Sequence, residues 1–467
     1  MPPLLDPSDR RPIHLVGIAG AGMSGLAELF ARRGASVSGC DLHPGAADDL
    51  RRLGIEVLEG HDASHVEGAR AVVVSSAVPK GHPELERARA LGIPVVRRAE
   101  ALAEAVAGGD LVAIAGTHGK TTTTVMTTEA LREAGLDPTG VVGGRVAAWE
   151  GNLSFGGERT FVVEADEYDR SFLALAPTVA TVTNVEADHL DIYRDLDDIR
   201  SAFEQFVSGA RAVVLCADDA GAASLRVPVS TNVLRYGIDS PDARVRAVDV
   251  HAGRARDGSG GRALGSGFVV EYDGERVAEA ELRVPGAHNV RNALAAIAAG
   301  IALGAGAVPL ARGVSAFAGV ERRFQRLGET AGVAVVDDYA HHPTEVAATL
   351  RAAREAYPGR RVVAAFQPHL FSRTRDFATE FGQALATADV VFLTEIYPAR
   401  ERPIPGVTAS LVSDAVVGAG RPRPWLGARD ELAGALASVV REGDVVLTLG
   451  AGDVTRTGPE LLRRLGA

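Results

Sequence analysis

The stretch Leu111–Thr124, LVAIAGTHGKTTTT, leaves the chain around it few ways to fold. An apolar run, Leu111–Ala115, stops at Gly116; Gly119, Lys120 and a run of threonines follow, and Thr127, Thr128, Ala130 and Leu131 continue as a helix would. The order is strand, glycine loop, helix N-terminus. Such a loop leaves backbone N–H groups unpaired at the positive end of a helix, where a polyphosphate takes them up. Lys120 is placed to reach the β- and γ-phosphates, and the Thr121 hydroxyl to join a Mg²⁺ shell. The loop is shorter than the common G-x-x-x-x-G-K-[ST], because only two residues separate Gly116 from Gly119. A lone G-x-x-G-K-T also arises as a chance turn, so the rest of the chain has to support the assignment.

A chain of 467 residues exceeds what one hydrophobic core organises, and two or three domains are expected. A formal charge of −11 argues against a general nucleic-acid binder, while local Lys and Arg still allow small anionic substrates. Two cysteines, Cys40 and Cys216, exclude a disulfide scaffold and a four-cysteine zinc site, and read as buried free thiols. The first residues, MPPLLDPSDRRP, lack a signal peptide's apolar core, and no apolar span is long enough for a membrane helix. A cytoplasmic enzyme with no membrane and no nucleic-acid partner is expected.

A second glycine loop lies upstream. Ile13–Ile18 is a β-rich run entering GAGMSG, Gly20 to Gly25, followed by helical Leu26–Arg33 and a strand Ser36–Cys40 that ends at Asp41. This matches a dinucleotide fingerprint with an acid about 20 residues on, at the ribose position. Turn chemistry alone also produces such glycines, and Asp41 suits a plain loop acid equally well. Strands at 55–58, 71–75 and 94–96 alternate with helices at 85–91 and 99–106, the pattern of a doubly wound parallel sheet. A nicotinamide dehydrogenase needs the first loop and not the second; a simple NTPase needs the reverse.

Beyond the phosphate loop, strand Thr160–Val163 ends in Glu164-Ala165-Asp166-Glu167. A carboxylate at a strand's C-terminal edge beside a phosphate loop is where a magnesium-holding acid sits, which favours Glu164 over a merely solvated acidic loop. Strand Val179–Thr183 opens into Asn184–Asp191, with Asp188 directly before His189. His189 suits a second divalent ion or a substrate phosphate. Asp195, Asp197 and Asp198 read as helix caps. Ala252–Gly267 reads as a hairpin or excursion, and Leu282–Asn292 leads into an Ala-rich helix. There His288, Asn289 and Asn292 suit either N-capping by Asn289 or a nucleobase or interdomain contact.

Downstream of that helix, Glu321–Arg326 is a charged patch, either a solvated hinge or a source of arginine for transferring phosphoryl charge. Strand Val333–Val336 runs into Asp337–Glu345 with consecutive histidines, His341 and His342, before Pro343. Strands at 361–366, 390–394 and 444–449 lead to Gln367–Arg375, Tyr397–Glu401 and Gly450–Asp453. Each polar cluster follows a strand, so all fall on one edge of a further parallel sheet. Arginines and histidines there suit a carboxylate-bearing substrate.

In this order the clusters resemble the Mur ligase family, in the branch that adds L-alanine to UDP-N-acetylmuramate. The carriers are His14–Gly25, Gly116–Thr123, Glu164–Phe172, Asn184–Asp191, Pro285–Asn292, Asp337–Glu345, Gln367–Thr374 and Tyr397–Val407. The resemblance implies three α/β domains: a Rossmann-like UDP-sugar domain (1–108), a central P-loop ATPase-like domain with a mostly parallel sheet (109–320) and a Rossmann-like amino-acid domain (321–467). It recasts Gly20, Ala21, Gly22, Met23 and Ser24, with Asp41, as binders of the sugar nucleotide rather than of NAD. It implies that Gly116, Thr117, His118, Gly119, Lys120, Thr121 and Thr122 hold ATP, with Thr121 and Glu164 on one Mg²⁺ and His189 on a second. His288, Asn289 and Asn292 are implied near the adenine, Arg323 near the phosphates and Asp338 near the ribose. His341, His342, Arg373 and Arg375 are implied near the amino acid and an acyl phosphate. A basic group, His189 or a histidine of the last domain, is implied as proton acceptor, in a monomer or homodimer. A related ligase that recycles whole stem peptides onto the same sugar shares several of these motifs, and an NAD-dependent oxidoreductase is the alternative from another class.

Overall fold

The computed structural model describes residues 3–6, 8–190, 192–253, 265–399 and 401–466. Asp191, Arg400 and most of the Gly-, Arg- and Ser-rich excursion (254–264) lie outside them. The chain folds as three α/β domains, each on its own sheet. No helix among the described residues is long and apolar enough to cross a membrane.

The first sheet holds β1 (Ile13–Val16), β2 (Val37–Asp41), β3 (Glu56–Glu59), β4 (Ala71–Val74) and β5 (Val95–Arg97), in the order β3-β2-β1-β4-β5. Its pairings are all parallel, as crossover helices require. The order reverses between β1 and β4, and the glycine loop leaves β1 at that switch point, where α/β sheets bind ligands.

The second sheet has ten strands: β6 (Asp110–Ala115), β7 (Thr139–Val146), β8 (Gly151–Ser154), β9 (Thr160–Glu164), β10 (Val179–Val182), β11 (Ala212–Cys216), β12 (Asn232–Gly237), β13 (Val245–Ala252), β14 (Ser266–Tyr272) and β15 (Glu275–Leu282). Their order is β15-β14-β13-β12-β11-β10-β6-β9-β7-β8. Strand β6 lies between β10 and β9, parallel to both, and its residues Leu111–Ala115 are all buried. Such two-sided burial demands the continuous apolar run seen in the sequence. Both neighbours end in the polar segments that the sequence singles out.

The third sheet holds β16 (Gln325–Thr330), β17 (Val333–Asp338), β18 (Arg361–Phe366), β19 (Val390–Thr394), β20 (Trp425–Gly427) and β21 (Asp444–Leu449), in the order β16-β17-β21-β18-β19-β20. Only β16 pairs antiparallel. Ala334 and Val336 enter one core with Val362, Ala364 and Phe366; Val333 and Val335 enter the opposite core with Val363 and Ala365. The alternation follows from the period of two along a strand, with both faces covered.

The chain forms two compact units. One comprises Met1–Asp249, Phe268–Ala280 and Arg291–Ala318; the other comprises Val250–Gly267, Glu281–Val290 and Gly319–Ala467. The helix after the first glycine loop begins at Ala21, earlier than the Leu26 read from sequence, because Gly20 takes the N-cap position and the motif itself forms the first turn. Strands β7, β8 and β13–β15 carry glycines or alternate with exposed polar residues, which hid them from a search for apolar runs.

Candidate functional site

The phosphate-type loop spans Gly116 to Gly119 between β6 and the helix Lys120–Glu133. Gly116 has φ +138°, and a Cβ there would collide with Thr183 Oγ1. Gly119 is the N-cap at φ +80° with no side-chain cap, and a Cβ there would lie 2.7 Å from Asn292 Oδ1. Both positions therefore require glycine. The loop is braced from β10: Thr117 N donates to Asn184 O at 3.0 Å, His118 N to Asn184 Oδ1 at 2.7 Å, and Thr183 Oγ1 to His118 O at 2.6 Å. Glu186 N donates to Thr117 Oγ1 at 2.9 Å. Asn292 accepts from Thr123 Oγ1 at 3.2 Å, which ties the Ala-rich helix to the first turn behind the loop.

Three polar side chains converge on the loop's mouth. Lys120 Nζ donates to Gly116 O at 2.7 Å and to Glu167 Oε1 at 2.9 Å, with Glu167 Oε2 at 2.8 Å. His189 Nε2 lies 3.5 Å from Glu167 Oε1 and 3.8 Å from Asp188 Oδ2. Burial opposes charge on all three, but the contacts win. The carboxylates of Glu167, Asp166 and Glu164 hold the Lys120 pKa above its ordinary value, and Lys120 and His189 hold Glu167 below the usual carboxylate range. Glu167 and Asp188 raise His189, favouring its protonated form. His189 sits at φ +53°, in the left-handed region, where its carbonyl accepts from Ile192 N and Tyr193 N. Beside this chain, Thr121 Oγ1 donates to Glu164 Oε1 at 3.0 Å, and Gly143 N to Glu164 Oε2 at 2.6 Å. Thr122 is buried in the same helical turn. The arrangement presents backbone donors, a lysine and hard oxygen ligands to one spot, as polyphosphate binding requires.

In the first sheet's loop, Asp41 Oδ2 accepts from Ala19 N at 3.0 Å and Asp41 Oδ1 from His43 N at 2.9 Å. Gly20, Ala21, Gly22, Met23 and Ser24 form the helix start, where Ser24 Oγ donates to Ala21 O at 3.0 Å and Met23 is buried.

The other unit carries the remaining candidates. Buried Asp338 accepts from Phe324 N at 2.7 Å and Ala340 N at 2.8 Å; burial pushes its pKa up to about 6 against the pull of Arg323. The Arg323 guanidinium lies 4.9 Å from the Tyr339 ring centre. His342 caps the helix Pro343–Ala356 in a reciprocal pair with Glu345, and His341 Nδ1 lies 3.2 Å from Glu345 Oε2. Arg373 is buried and reaches His369 Nδ1 at 3.4 Å; Arg375 pairs with Asp376 at 2.6 Å. His288 lies in the first turn of the helix Ala287–Ala302. Asn289 lies in that turn too, donating to Pro285 O at 2.8 Å, so it is not the N-cap that its position suggested.

Two residues at the loop escaped the sequence reading. Glu167, the partner of Lys120, was legible only as one of three acids in EADE. Asn184 was visible at the end of β10, but its grip on His118 depends on β10 lying beside β6.

Three family models cover the chain: "Mur ligase family, catalytic domain" over residues 12–109, "Mur ligase middle domain" over 114–300 and "Mur ligase, glutamate ligase domain" over 322–452. A protein of Kineococcus radiotolerans named UDP-N-acetylmuramate–L-alanine ligase is 50% identical over 464 residues, 97% of this chain and 96% of that one. The crystal structure of a UDP-N-acetylmuramate–alanine ligase from Thermotoga maritima superposes with a TM-score of 0.81 at 30% identity, covering 97% of this chain and 99% of that one. A murein peptide ligase from Psychrobacter arcticus gives 0.71 at 25% identity, covering 98% and 99%.

Proposed function

The chain belongs to the Mur ligase family, and we propose that it joins L-alanine to UDP-N-acetylmuramate, converting ATP to ADP and phosphate, in the synthesis of peptidoglycan precursors. The observation that carries this reading is the end-to-end likeness to proteins named for that reaction. The phosphate loop, with its lysine held on Glu167, supports the use of ATP. We take the domains as 1–108 for the sugar nucleotide, 109–320 for ATP and 321–467 for the amino acid. A cytoplasmic monomer or homodimer accompanies the proposal.

A carboxylate does not react with an amine near neutral pH, so it has to be activated. The γ-phosphoryl group of ATP passes to the lactyl carboxylate, giving an acyl phosphate with a good leaving group. The neutral amine of L-alanine attacks the carbonyl carbon, and the tetrahedral oxyanion collapses with loss of phosphate. Little of this is covalent chemistry by the protein; its part is alignment and charge neutralisation.

We assign Gly116, Thr117, His118, Gly119 and Thr122 to the polyphosphate and Lys120 to the transferring group. Glu167 keeps Lys120 charged and extended until the nucleotide takes over its ammonium. Thr121 and Glu164, two hard oxygen donors 3.0 Å apart, fit Mg²⁺. When bound there, Mg²⁺ neutralises phosphate charge. His189 serves either a second such ion or, in its neutral form, the amine's proton. Arg323 is assigned to phosphoryl charge, Asp338 to the ribose, and His288, Asn289 and Asn292 to the adenine. We assign His341, His342, Arg373 and Arg375 to the amino acid and acyl phosphate, and Gly20–Ser24 with Asp41 to the sugar nucleotide.

The test is ADP release with UDP-N-acetylmuramate and each amino acid in turn. Release stimulated by L-alanine is expected. Release with a stem tripeptide but not with alanine overturns the assignment in favour of a peptide-recycling ligase, and nicotinamide reduction without ADP release overturns it altogether.

A further inference from the structure

The first sheet buries a group of metal-ligating side chains that the ligase reaction does not use. Cys40 lies in β2 just before its last residue, Asp41; His61 follows β3, and His82 and Glu84 stand at the start of the helix Pro83–Ala90. Glu84 and Cys40 are fully buried, in the core that also contains Val16, Val72 and Leu85. A carboxylate at that depth needs a counter-charge. Among the described residues no Lys or Arg pairs with it; its ionic partners are the imidazoles of His61, His65 and His82.

These atoms gather around the Glu84 carboxylate in two overlapping trios. Cys40 Sγ lies 3.2 Å from His61 Nδ1 and 3.2 Å from Glu84 Oε2, and His82 Nδ1 lies 3.8 Å from Glu84 Oε2. One ligand atom from each of His61, His82 and Glu84 lies within 4.8 Å of the others, and the same holds for His14, Cys40 and Glu84. Tetrahedral zinc, with bonds of about 2.1 Å to N and O and about 2.3 Å to S, sets its ligand atoms roughly 3.3–3.6 Å apart. The other carboxylate oxygen, Glu84 Oε1, accepts from Asp62 N at 3.2 Å, lies 3.0 Å from His65 Nδ1 and is also met by Cys40 Sγ at 3.0 Å. Two buried ring nitrogens, His82 Nδ1 and His14 Nε2, have no hydrogen-bond partner among the described residues. His14 Nδ1 is meanwhile fixed on Ser38 Oγ at 3.0 Å. Buried nitrogens without partners are costly unless something completes them.

We propose that Cys40, His61, His82 and Glu84 form a structural site for a tetrahedral divalent ion of the zinc class, with His14 and His65 packed around it. One thiolate and one carboxylate cancel the dication's charge, so the core gains a neutral unit in place of a carboxylate facing imidazoles. Burial and the Glu84 carboxylate raise the Cys40 pKa, so the apo thiol keeps its proton; binding forms the S–metal bond and releases that proton to solvent. Burial lowers His82 likewise and pulls His14 to about 4, keeping both rings neutral. The ion would join β2, the segment after β3 and the helix Pro83–Ala90. Through Cys40, whose carbonyl accepts from Gly17 N at 2.8 Å and Ile18 N at 3.0 Å, it would steady the turn that enters the Gly20–Gly25 loop. This site is independent of the magnesium assignment at Thr121 and Glu164.

The test uses the full chain, stripped of metal and reloaded with Zn²⁺ or Co²⁺. About one tightly held zinc per chain is expected, with a rise in melting temperature. The Co²⁺ form is expected to show intense tetrahedral d–d bands and a near-ultraviolet thiolate-to-cobalt band. Cys40→Ser should lose the thiolate band and bind at least tenfold more weakly, Glu84→Gln should lose the thermal gain, and Cys216→Ser should keep both signatures. Circular dichroism of each apo variant checks folding. Should Cys40→Ser misfold, the wild-type cobalt spectrum decides alone. Wild-type protein that holds no zinc after dialysis, or a cobalt spectrum without a thiolate band, overturns the proposal.

Discussion

The two glycine loops look alike in sequence and differ in what surrounds them. Each leaves a buried strand and opens a helix, but only the Gly116–Gly119 loop is enclosed. Its glycines carry φ +138° and +80°, and the Cβ positions are taken by Thr183 and Asn292. In the Gly20–Gly25 loop none of the three motif glycines has positive φ. A Cβ at Gly22 would meet only the far end of Arg98 at 3.2 Å, a contact that a small shift relieves, and one at Gly25 would meet Asn152 Cβ at 3.3 Å. The Gly116–Gly119 loop also faces a lysine–glutamate–histidine chain centred on buried Glu167; at the Gly20–Gly25 loop stand Asp41 and Arg98. The glycine pattern marks where phosphate can approach. The depth of burial determines how strictly the pattern has to be kept.

The largest expected effect comes from removing the charge at the enclosed loop. Lys120→Ala should lower alanine-dependent ADP release by roughly 10³-fold or more, since the transferring phosphoryl charge loses its fixed cation. Turnover within tenfold of wild type would break the contrast at its root. Gly116→Ala combines a left-handed backbone with a collision and should destabilise the protein by about 2–4 kcal/mol, read as a drop in melting temperature with loss of ATP binding. Glu167→Gln leaves a buried ammonium without its counter-charge; about 3 kcal/mol of stability should go with it, and nucleotide should restore most of that loss in a thermal-shift assay.

Burial shows its hand more gently in the other unit. The folded-state pKa of Asp338 is raised to about 6, so its protonated form is favoured by folding. That contribution is full below the ordinary carboxylate range and is lost as pH climbs through about 6. Asp338→Asn should flatten this slope, so that the melting temperature of wild type minus variant falls between pH 5 and pH 7 by the equivalent of roughly 1–1.5 kcal/mol. Gly22→Ala should do least: under about 1 kcal/mol, with the KM for the sugar nucleotide raised severalfold and kcat kept. A loss as large as that of Gly116→Ala would show that the two loops are equally constrained.

Candidate residues were legible in each unit because they stand at strand ends. Glu164 in one unit and Asp338 in the other each close an apolar run, and strands in a parallel sheet deliver their C-terminal ends to one edge of that sheet. Within the EADE cluster Glu164 was legible as the acid at the strand end, but the role of Glu167 was not. Glu164 meets Thr121 and Glu167 meets Lys120 because β9 ends beside the loop while Glu167 lies beyond it, in the turn that precedes Tyr168. Spacing along the chain cannot tell two acids three residues apart which helix side chain each will face. The β13–β15 strands stayed hidden for a different reason: half-exposed strands carry polar residues, and their identity rests on hydrogen-bonded neighbours rather than on an apolar signal.

The sequence by itself determined the α/β alternation, the buried strands and the phosphate loop, because hydrophobic periodicity and glycine placement are local properties that backbone sterics read directly, while the order of its motifs carried the resemblance to the family. Tertiary structure alone decided which acid holds Lys120, why Gly116 and Gly119 admit no Cβ, and that Cys40, His61 and His82 gather around buried Glu84. Those outcomes depend on distances between residues remote in sequence. In a dry interior such distances set charge, protonation and coordination more strongly than residue type does.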